Sequence, residues 1–186
     1  VRDCYAVTRA FFTSNLPGID KDKITLMGAS AGGNLAAAVS LMARDKGEFL
    51  PKKQVLIYPA TYCDHSDASP FLSVQENGEG YLLTSSTIQT YLNLYKSSDA
   101  DLRNPYFAPL MAEDFSNQPD TLVITAEFCP LRDEGEEYGK KLRQAGNYVE
   151  IVRLKGALHS FFMLPPNFEH VQQAYKAINN FLARGN

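Results

Sequence analysis

One serine of this sequence stands in a setting that favours nucleophilic chemistry. Ser30 is the centre of the G-A-S-A-G segment at 28–32, which follows the apolar run 24–27 and precedes a helical pattern. A strand–turn–helix this sharp gives the serine strained backbone angles and lifts its hydroxyl clear of the sheet. Residues two before and two after it must be small, because side chains there would collide with the strand or the helix. We therefore predict Ser30 as a nucleophile, with the N–H of Ala31 facing any anion that forms beside it.

A histidine late in the chain has the right placement for the matching base. His159, in G-A-L-H-S-F-F, follows the fourth predicted strand at the level where the serine should emerge, and Phe161 and Phe162 would pin its loop. A neutral imidazole in this position can take the hydroxyl proton and return it to a leaving group. His65 and His170 lack this placement, and we predict that both are solvated.

The rest of the chain shows strand patterns that alternate with helix patterns. Apolar runs predict four strands, at 24–27, 54–58, 121–125 and 148–154. Helical spacing of apolar residues predicts helices before the first strand, after the serine, from 84 or 85, from 130, and after 166. Residues 60–83 and 97–119 lack a period and are predicted to be irregular. The alternation indicates a parallel sheet, whose functional side chains should lie beyond the carboxyl ends of its strands.

Size and composition indicate one globular domain and exclude several classes of partner. The 186 residues are 45% hydrophobic and 21% charged, which is typical of a folded protein. A net charge of -3, with scattered Lys and Arg, gives no support for nucleic-acid binding. No apolar run reaches the length of a transmembrane helix, so no membrane partner is predicted. The three cysteines are widely spaced and odd in number, which favours a reducing, cytoplasmic location over a disulfide scaffold.

Four sequence blocks follow one another in the order GASAGGNLAAA, RNPYFAPL, TAEFCPLRDEGEEYGKKLRQAGN and GALHSFF. They resemble the blocks of the hormone-sensitive-lipase-like branch of the α/β-hydrolases. The resemblance implies an α/β-hydrolase fold, three-layered with a mostly parallel sheet, and a serine carboxylesterase that acts on short-chain acyl esters without a metal or other cofactor. It implies Ser30 as nucleophile, His159 as base and Ala31 as one oxyanion amide. Gly32 and Phe161 are expected to contact the small-molecule ester.

One position departs from the family pattern at a chemically important place. The family's D-P-L-R-D-E-G block carries the catalytic acid as its first residue, and this sequence has Cys129 there. A neutral thiol does not stabilise an imidazolium or fix its tautomer as a carboxylate does, and loss of the acid costs roughly 10⁴ in kcat. Asp133, Asp64 and Glu127, in that order, are the candidates for a substitute acid. The alternative for Asp133 is that it only favours the first turn of its helix through the helix dipole.

The family's H-G-G-G loop, which supplies further oxyanion amides, does not occur in this sequence. We therefore expect the sequence to be the C-terminal portion of a larger fold, without the N-terminal strands and part of the cap. Within a single domain spanning 1–186, residues 60–119 are expected to contain a cap-like insertion. The first strand would then expose an apolar edge, which favours a homodimer or other self-association.

Two other functions stay open on the sequence alone. An inactive relative that binds a small molecule in the same pocket is favoured by Cys129 and by the missing loop, and opposed by Ser30 and His159. A thiol enzyme that uses Cys129 is less favoured, because that residue stands where the family has its acid. A covalent probe for activated serines distinguishes the esterase from the binder.

Overall fold

The computed structural model describes residues 1–14 and 16–184, in which four strands pair in parallel and in chain order. The strands are β1 Thr25–Ala29, β2 Lys53–Ile57, β3 Asp120–Phe128 and β4 Val149–Leu158. The helices are α1 Arg2–Thr13, α2 Ala31–Lys46, α3 Leu72–Asn77, α4 Ser85–Tyr95, α5 Arg132–Gln144 and α6 Glu169–Ala183. Within these residues no helix combines the length and apolar character that crossing a membrane requires.

Alternating side chains of the central strands separate two layers of helices. Ile57 of β2 and Ile124 of β3 pack in one buried cluster with the apolar side of α6. Leu56 and Val123, their neighbours in sequence, belong to a second buried cluster with alanines of α2 and with Tyr138 of α5. Successive side chains of a strand point to opposite faces of a sheet, so both faces of these strands are covered. The predicted three-layer fold with a parallel sheet is confirmed.

The last two strands are longer than the sequence predicts. The apolar runs 121–125 and 148–154 mark where they begin, but β3 continues to Phe128 and β4 to Leu158. Polar residues break both apolar runs, yet the strands stay paired across a register shift that lies just before Phe128. Beyond this irregularity Phe128 pairs with Leu158. β3 and β4 therefore end side by side, and the residues that follow the two strands are neighbours.

The prediction that 60–83 is irregular throughout is wrong, because α3 lies within it. This helix has only six residues, too few to show a helical period in the sequence. Contacts from distant residues hold it in place. The buried Ser73 hydroxyl donates to the Pro130 carbonyl, and the Ser73 N–H donates to Asp133 Oδ2, both at 2.8 Å. Tertiary contacts, and not local sequence, therefore determine this element.

The strand at one edge of the sheet, β1, pairs only with β2 among the described residues. Its Met27 side chain is 57% exposed. An unpaired apolar strand edge favours pairing with another chain, so we predict that the 186-residue chain self-associates through β1. Met27→Lys should shift the protein towards monomer, because a charge on an edge strand opposes such pairing. Sedimentation velocity over a range of concentrations measures this, and an unchanged protein that stays monomeric at high concentration would contradict it.

Candidate active site

The turn between β1 and α2 holds Ser30 in a strained backbone conformation, as the sequence motif predicts. Its φ of 56° and ψ of -119° are angles that residues with a side chain rarely adopt. Three backbone hydrogen bonds keep it there: the Ser30 N–H donates to Ile57 O at 2.9 Å, and Ser30 O accepts from the N–H groups of Asn34 at 3.1 Å and Ala60 at 3.3 Å. The turn is thus tied to the carboxyl end of β2 and to the loop that follows it.

Close backbone contacts explain which glycines this turn requires. A Cβ built on Gly28 would lie 2.0 Å from the Gly32 carbonyl oxygen, and one built on Gly33 would lie 2.8 Å from Pro59 Cβ. A Cβ on Gly32 would meet nothing within 4 Å. The predicted need for a small residue therefore holds two positions before the serine. It is wrong for Gly32, two positions after the serine, and the steric limit falls instead on Gly33, which packs against Pro59 in the loop after β2.

Ser30, His159 and Cys129 form one continuous chain of contacts. His159 Nε2 lies 3.1 Å from Ser30 Oγ, and His159 Nδ1 lies 3.2 Å from Cys129 Sγ. The imidazole is 6% exposed and Cys129 is fully buried. Residues 129 and 159 directly follow the paired residues Phe128 and Leu158, so strand register brings them together. This is the geometry of a nucleophile, a base and the residue that orients the base, with a thiol in the third position.

Tyr58 supports the imidazole, and sequence reasoning missed it. Its ring centroid lies 4.6 Å from that of His159 and 5.2 Å from that of Phe161, the latter in an edge-on arrangement. Tyr58 and Ser160 both have positive φ, of 35° and 65°. Residues with strained backbone angles therefore lie next to His159, at Tyr58 and Ser160, as well as in the turn at Ser30. The available signal was the Tyr-Pro pair at the end of β2, where functional side chains of parallel sheets collect.

Two residues expected to contact substrate do not line the cavity beside Ser30. Phe161 is only 2% exposed, because its ring packs against Tyr58 in the core beneath the histidine loop. Gly32 has no side chain, and its backbone lies against Gly28 in the first turn of α2. Phe161 does pin the histidine loop, which was its other predicted role.

Burial keeps both partners of the thiol–imidazole contact neutral. It raises the pKa of the Cys129 thiol to about 12 and lowers the pKa of the His159 imidazole to about 4. A buried charge is costly unless another charge or several hydrogen bonds compensate it. At neutral pH the site therefore contains S–H and neutral imidazole, with no ion pair between them.

None of the three candidate substitute acids hydrogen-bonds to His159. Burial alone would raise the pKa of the Asp133 carboxyl, but hydrogen bonds from Arg132 and the Ser73 N–H lower it below its usual range. Asp133 is thus held by Arg132 and Ser73. Glu127 Oε2 accepts from the N–H of Gly156 at 2.7 Å, and Asp64 Oδ1 accepts from the N–H of Ser66 at 2.9 Å.

The prediction that His65 is solvated is wrong, because it pairs with a buried carboxylate. His65 Nε2 lies 2.5 Å from Glu134 Oε2, and both side chains are fully buried. Burial would lower the pKa of His65, but the Glu134 carboxylate raises it, and the net direction is upward. Glu134 Oε1 also accepts the N–H groups of Thr61 and Tyr62, so the pair fixes the loop after β2. The sequence gives no sign of a partner 69 residues away.

An apolar cavity of about 540 Å³ opens beside the serine and histidine. Its walls come from α2, α4 and the loops after β2 and β4, and none of its lining residues carries an Asp, Glu, Lys or Arg side chain. The lining residues are Ser30, Ala31, Asn34, Leu35, Ala60, Tyr62, Leu82, Leu83, Thr87, Ile88, Tyr91, Leu92, Tyr95, Phe107, Leu131, His159, Ser160 and Met163. Such a cavity suits an uncharged, largely apolar molecule.

Residues 1–163 match the family described as alpha/beta hydrolase fold. An arylesterase of Saccharolobus solfataricus is 41% identical over 167 residues, which make up 89% of this chain and 53% of the relative. An ethyl acetate hydrolase of Pseudomonas putida is 35% identical over 157 residues, 84% of this chain and 48% of the relative. The solved structure of a hyperthermophilic esterase from Pyrobaculum calidifontis has a TM-score of 0.87 and 38% identity, covering 97% of this chain and 59% of that one. The chain thus spans about half the length of the curated relatives it matches.

The contacts of Gly28 and Gly32 can be tested by substituting each glycine with alanine. Gly28→Ala should lower the free energy of unfolding by about 1–3 kcal/mol, because backbone atoms must move to admit the new methyl group. Gly32→Ala should be neutral or stabilising by up to about 1 kcal/mol, because the space is open and Ala is the better helix former. Denaturant unfolding monitored by circular dichroism measures both, and equal effects would contradict the contacts described.

Proposed function

Because the chain belongs to the alpha/beta hydrolase fold family, in its hormone-sensitive-lipase-like carboxylesterase branch, we propose that it hydrolyses carboxylic esters through Ser30. The observation that carries the proposal is the 3.1 Å contact between His159 Nε2 and the Ser30 hydroxyl, at a strained turn beside an apolar cavity. The names of the relatives, an arylesterase and an ethyl acetate hydrolase, support esters as the substrate class. Short acyl chains are the substrates that the family resemblance implies.

The proposed reaction has two halves, with Ser30 acylated between them. In the first, Ser30 Oγ attacks the ester carbonyl carbon while its proton passes to His159 Nε2, which then gives that proton to the departing alcohol. In the second, water attacks the acyl-enzyme, His159 takes a proton from the water, and Ser30 leaves with that proton as the carboxylic acid is released. The low pKa of His159, about 4, keeps the imidazole unprotonated at neutral pH, so one ring nitrogen is free to accept a proton.

The N-terminus of α2 is the proposed oxyanion contact. Ala31 is the first residue of this helix, where N–H groups have no partner within the helix, and it lines the cavity beside Ser30. The helix dipole adds positive potential at the same point. We therefore assign the Ala31 N–H as one donor to the tetrahedral oxyanion, a contact worth roughly 10²–10³ in kcat in other enzymes.

Cys129 makes the proposed base less effective than a carboxylate would. A neutral thiol can donate its S–H to His159 Nδ1, which leaves the imidazole proton on Nε2, facing Ser30. Attack by the serine needs the opposite tautomer, with Nε2 free to accept. A carboxylate accepts only and so fixes the productive tautomer, and it also stabilises the imidazolium that forms. We therefore expect slow turnover from the chain as it stands.

Some groups around residue 129 favour an anion, although burial opposes one. The backbone N–H of Leu131 acts to lower the pKa of the Cys129 thiol, against the larger effect of burial, and α5 begins three residues later at Arg132, so the positive end of its dipole is close. His159 Nδ1 is 3.2 Å away. An Asp side chain at 129 would lie beside His159 Nδ1 and near the start of α5 without a change in strand register.

Ser30→Ala should abolish hydrolysis of a p-nitrophenyl ester and abolish labelling by a fluorophosphonate probe, because both require the hydroxyl. Ser86→Ala is the matched control, since Ser86 is an exposed serine on α4 outside the cavity. Labelling is followed by mass spectrometry and hydrolysis by absorbance. Unchanged turnover in Ser30→Ala would mean that another residue is the nucleophile. An unchanged protein that neither labels nor hydrolyses would contradict the proposal and favour a small-molecule binder.

Cys129→Asp should raise kcat by up to about 10⁴, the amount lost when a triad acid is removed. The pH profile should also change. With Cys129 the base is active above a pKa of about 4, so kcat/KM should fall only as pH drops through that value. A carboxylate stabilises the imidazolium and raises the His159 pKa, so in Cys129→Asp this fall should move to higher pH.

Cys129→Asn is the control for the acid substitution, because it matches Asp in size and lacks the charge. It should gain neither rate nor the shift of the pH profile. If Cys129→Asp leaves the rate and profile unchanged while Asp133→Asn destroys activity, the acid function lies at Asp133 and the assignment of position 129 is wrong.

A further inference from the structure

We propose that His65 and Glu134 are positioning residues, and that their buried pair holds the segment 60–62 against the turn that presents Ser30. The inference rests on the proposed ester hydrolysis and adds a device that fixes its nucleophile. Both side chains are fully buried, with His65 Nε2 2.5 Å from Glu134 Oε2. Neither residue lines the cavity beside Ser30, so their effect on the reaction must pass through the segment that they hold.

The Glu134 carboxylate is the anchor for two N–H groups of this segment. Its Oε1 accepts from the N–H of Thr61 at 2.6 Å and from the N–H of Tyr62 at 3.0 Å. An ionised acceptor in a dry environment forms stronger hydrogen bonds than a neutral acceptor does. Glu134 belongs to the first turn of α5, so this contact joins the loop after β2 to a separate helix.

The segment reaches the nucleophile through Ala60. The Ala60 N–H donates to Ser30 O at 3.3 Å, one of the hydrogen bonds that keep the serine at its positive φ. The Ala60 carbonyl accepts from Asn34 Nδ2 at 2.8 Å. Tyr62, at the other end of the segment, lines the cavity beside Ser30. Strained backbone angles persist only where their surroundings hold them, so release of this segment should loosen Ser30 and move one wall of the cavity.

His65 contributes the charge that lets Glu134 stay buried as a carboxylate. In the part of the chain that the structure describes, it is the one ion-pair partner of Glu134. Burial acts to lower the pKa of His65, but the Glu134 carboxylate and the charge of Asp64 raise it overall, which favours the imidazolium. A buried carboxylate left without its cation is strongly unfavourable, so loss of His65 should weaken the anchor of the segment.

Two neutral double variants separate the anchor from the buried charge. His65→Leu/Glu134→Met removes both charges and also the acceptor for the N–H groups of Thr61 and Tyr62. His65→Gln/Glu134→Gln removes both charges but keeps a side-chain carbonyl oxygen at position 134, and its two amides can hydrogen-bond to each other. Since neither variant leaves an unpaired buried charge, any difference between them reports the anchor.

The variant without the acceptor should hydrolyse a p-nitrophenyl ester with kcat/KM about 10- to 100-fold below that of the variant with two amides, because a displaced nucleophile reacts slowly. Hydrogen exchange followed by NMR gives the local measurement. In the variant without the acceptor, exchange of the Thr61 and Tyr62 N–H groups should be at least about tenfold faster. It should increase by more than exchange of the N–H groups of β3, which reports the stability of the whole fold.

Glu137→Gln is the matched control, because Glu137 lies on the same helix and pairs with the exposed Lys140. It should change neither the rate nor the exchange. If His65→Leu/Glu134→Met does not fold, Glu134→Met alone takes its place, since it removes the acceptor and keeps the imidazole.

Equal exchange of the Thr61 and Tyr62 N–H groups in the variants with and without the acceptor would overturn the proposal. So would equal kcat/KM in proteins that hydrolyse the ester but differ in this exchange. The same measurements distinguish failure of the proposed reaction. If the exchange responds as expected but no protein hydrolyses the ester, the unchanged chain included, ester hydrolysis is refuted and the hold on segment 60–62 is retained.

Discussion

The register between β3 and β4 is the constraint on which the site depends. A register shift lets the two strands pair past their polar residues until Phe128 lies beside Leu158. Cys129 and His159 are the next residues after these two, so the pairing brings them into contact. Backbone hydrogen bonding, which does not depend on the identity of the side chains, thus sets the contact between the thiol and the imidazole. This explains why the contact persists although one partner is a thiol.

Burial has opposite consequences for the two members of that contact. A dry environment keeps His159 a neutral base, which the proposed reaction needs. The same environment prevents Cys129 from ionising, so no anion is present when the imidazole becomes charged. A carboxylate in this position would be desolvated too, and the Leu131 N–H and the start of α5 would offset only part of that cost. The imidazole of His159 therefore has a neutral thiol, and no carboxylate, beside its Nδ1.

The sequence predicts those parts of the site that rest on local rules. A G-x-S-x-G motif between a strand and a helix fixes Ser30, and a position beyond a strand end selects His159. Prediction from the sequence fails where contacts with residues distant in the chain determine the structure. Ser73 stabilises α3 through Pro130, and Glu134 draws His65 into the core, although neither partner is near in the chain. No local pattern encodes such pairs, because burial and charge compensation are properties of the assembled fold.

Because Cys129 is buried, its thiol can also serve as a probe of local unfolding. Alkylating reagents attack thiolates, and a thiol that is enclosed and has a high pKa reacts only when the structure around it opens. Cys4 is exposed and Cys63 half-buried, so both provide internal standards in the same chain. The rate at which Cys129 is modified, relative to theirs, would report how often the ends of β3 and β4 separate. Cys129, the residue in contact with His159 Nδ1, would thereby report local opening of the fold around the site.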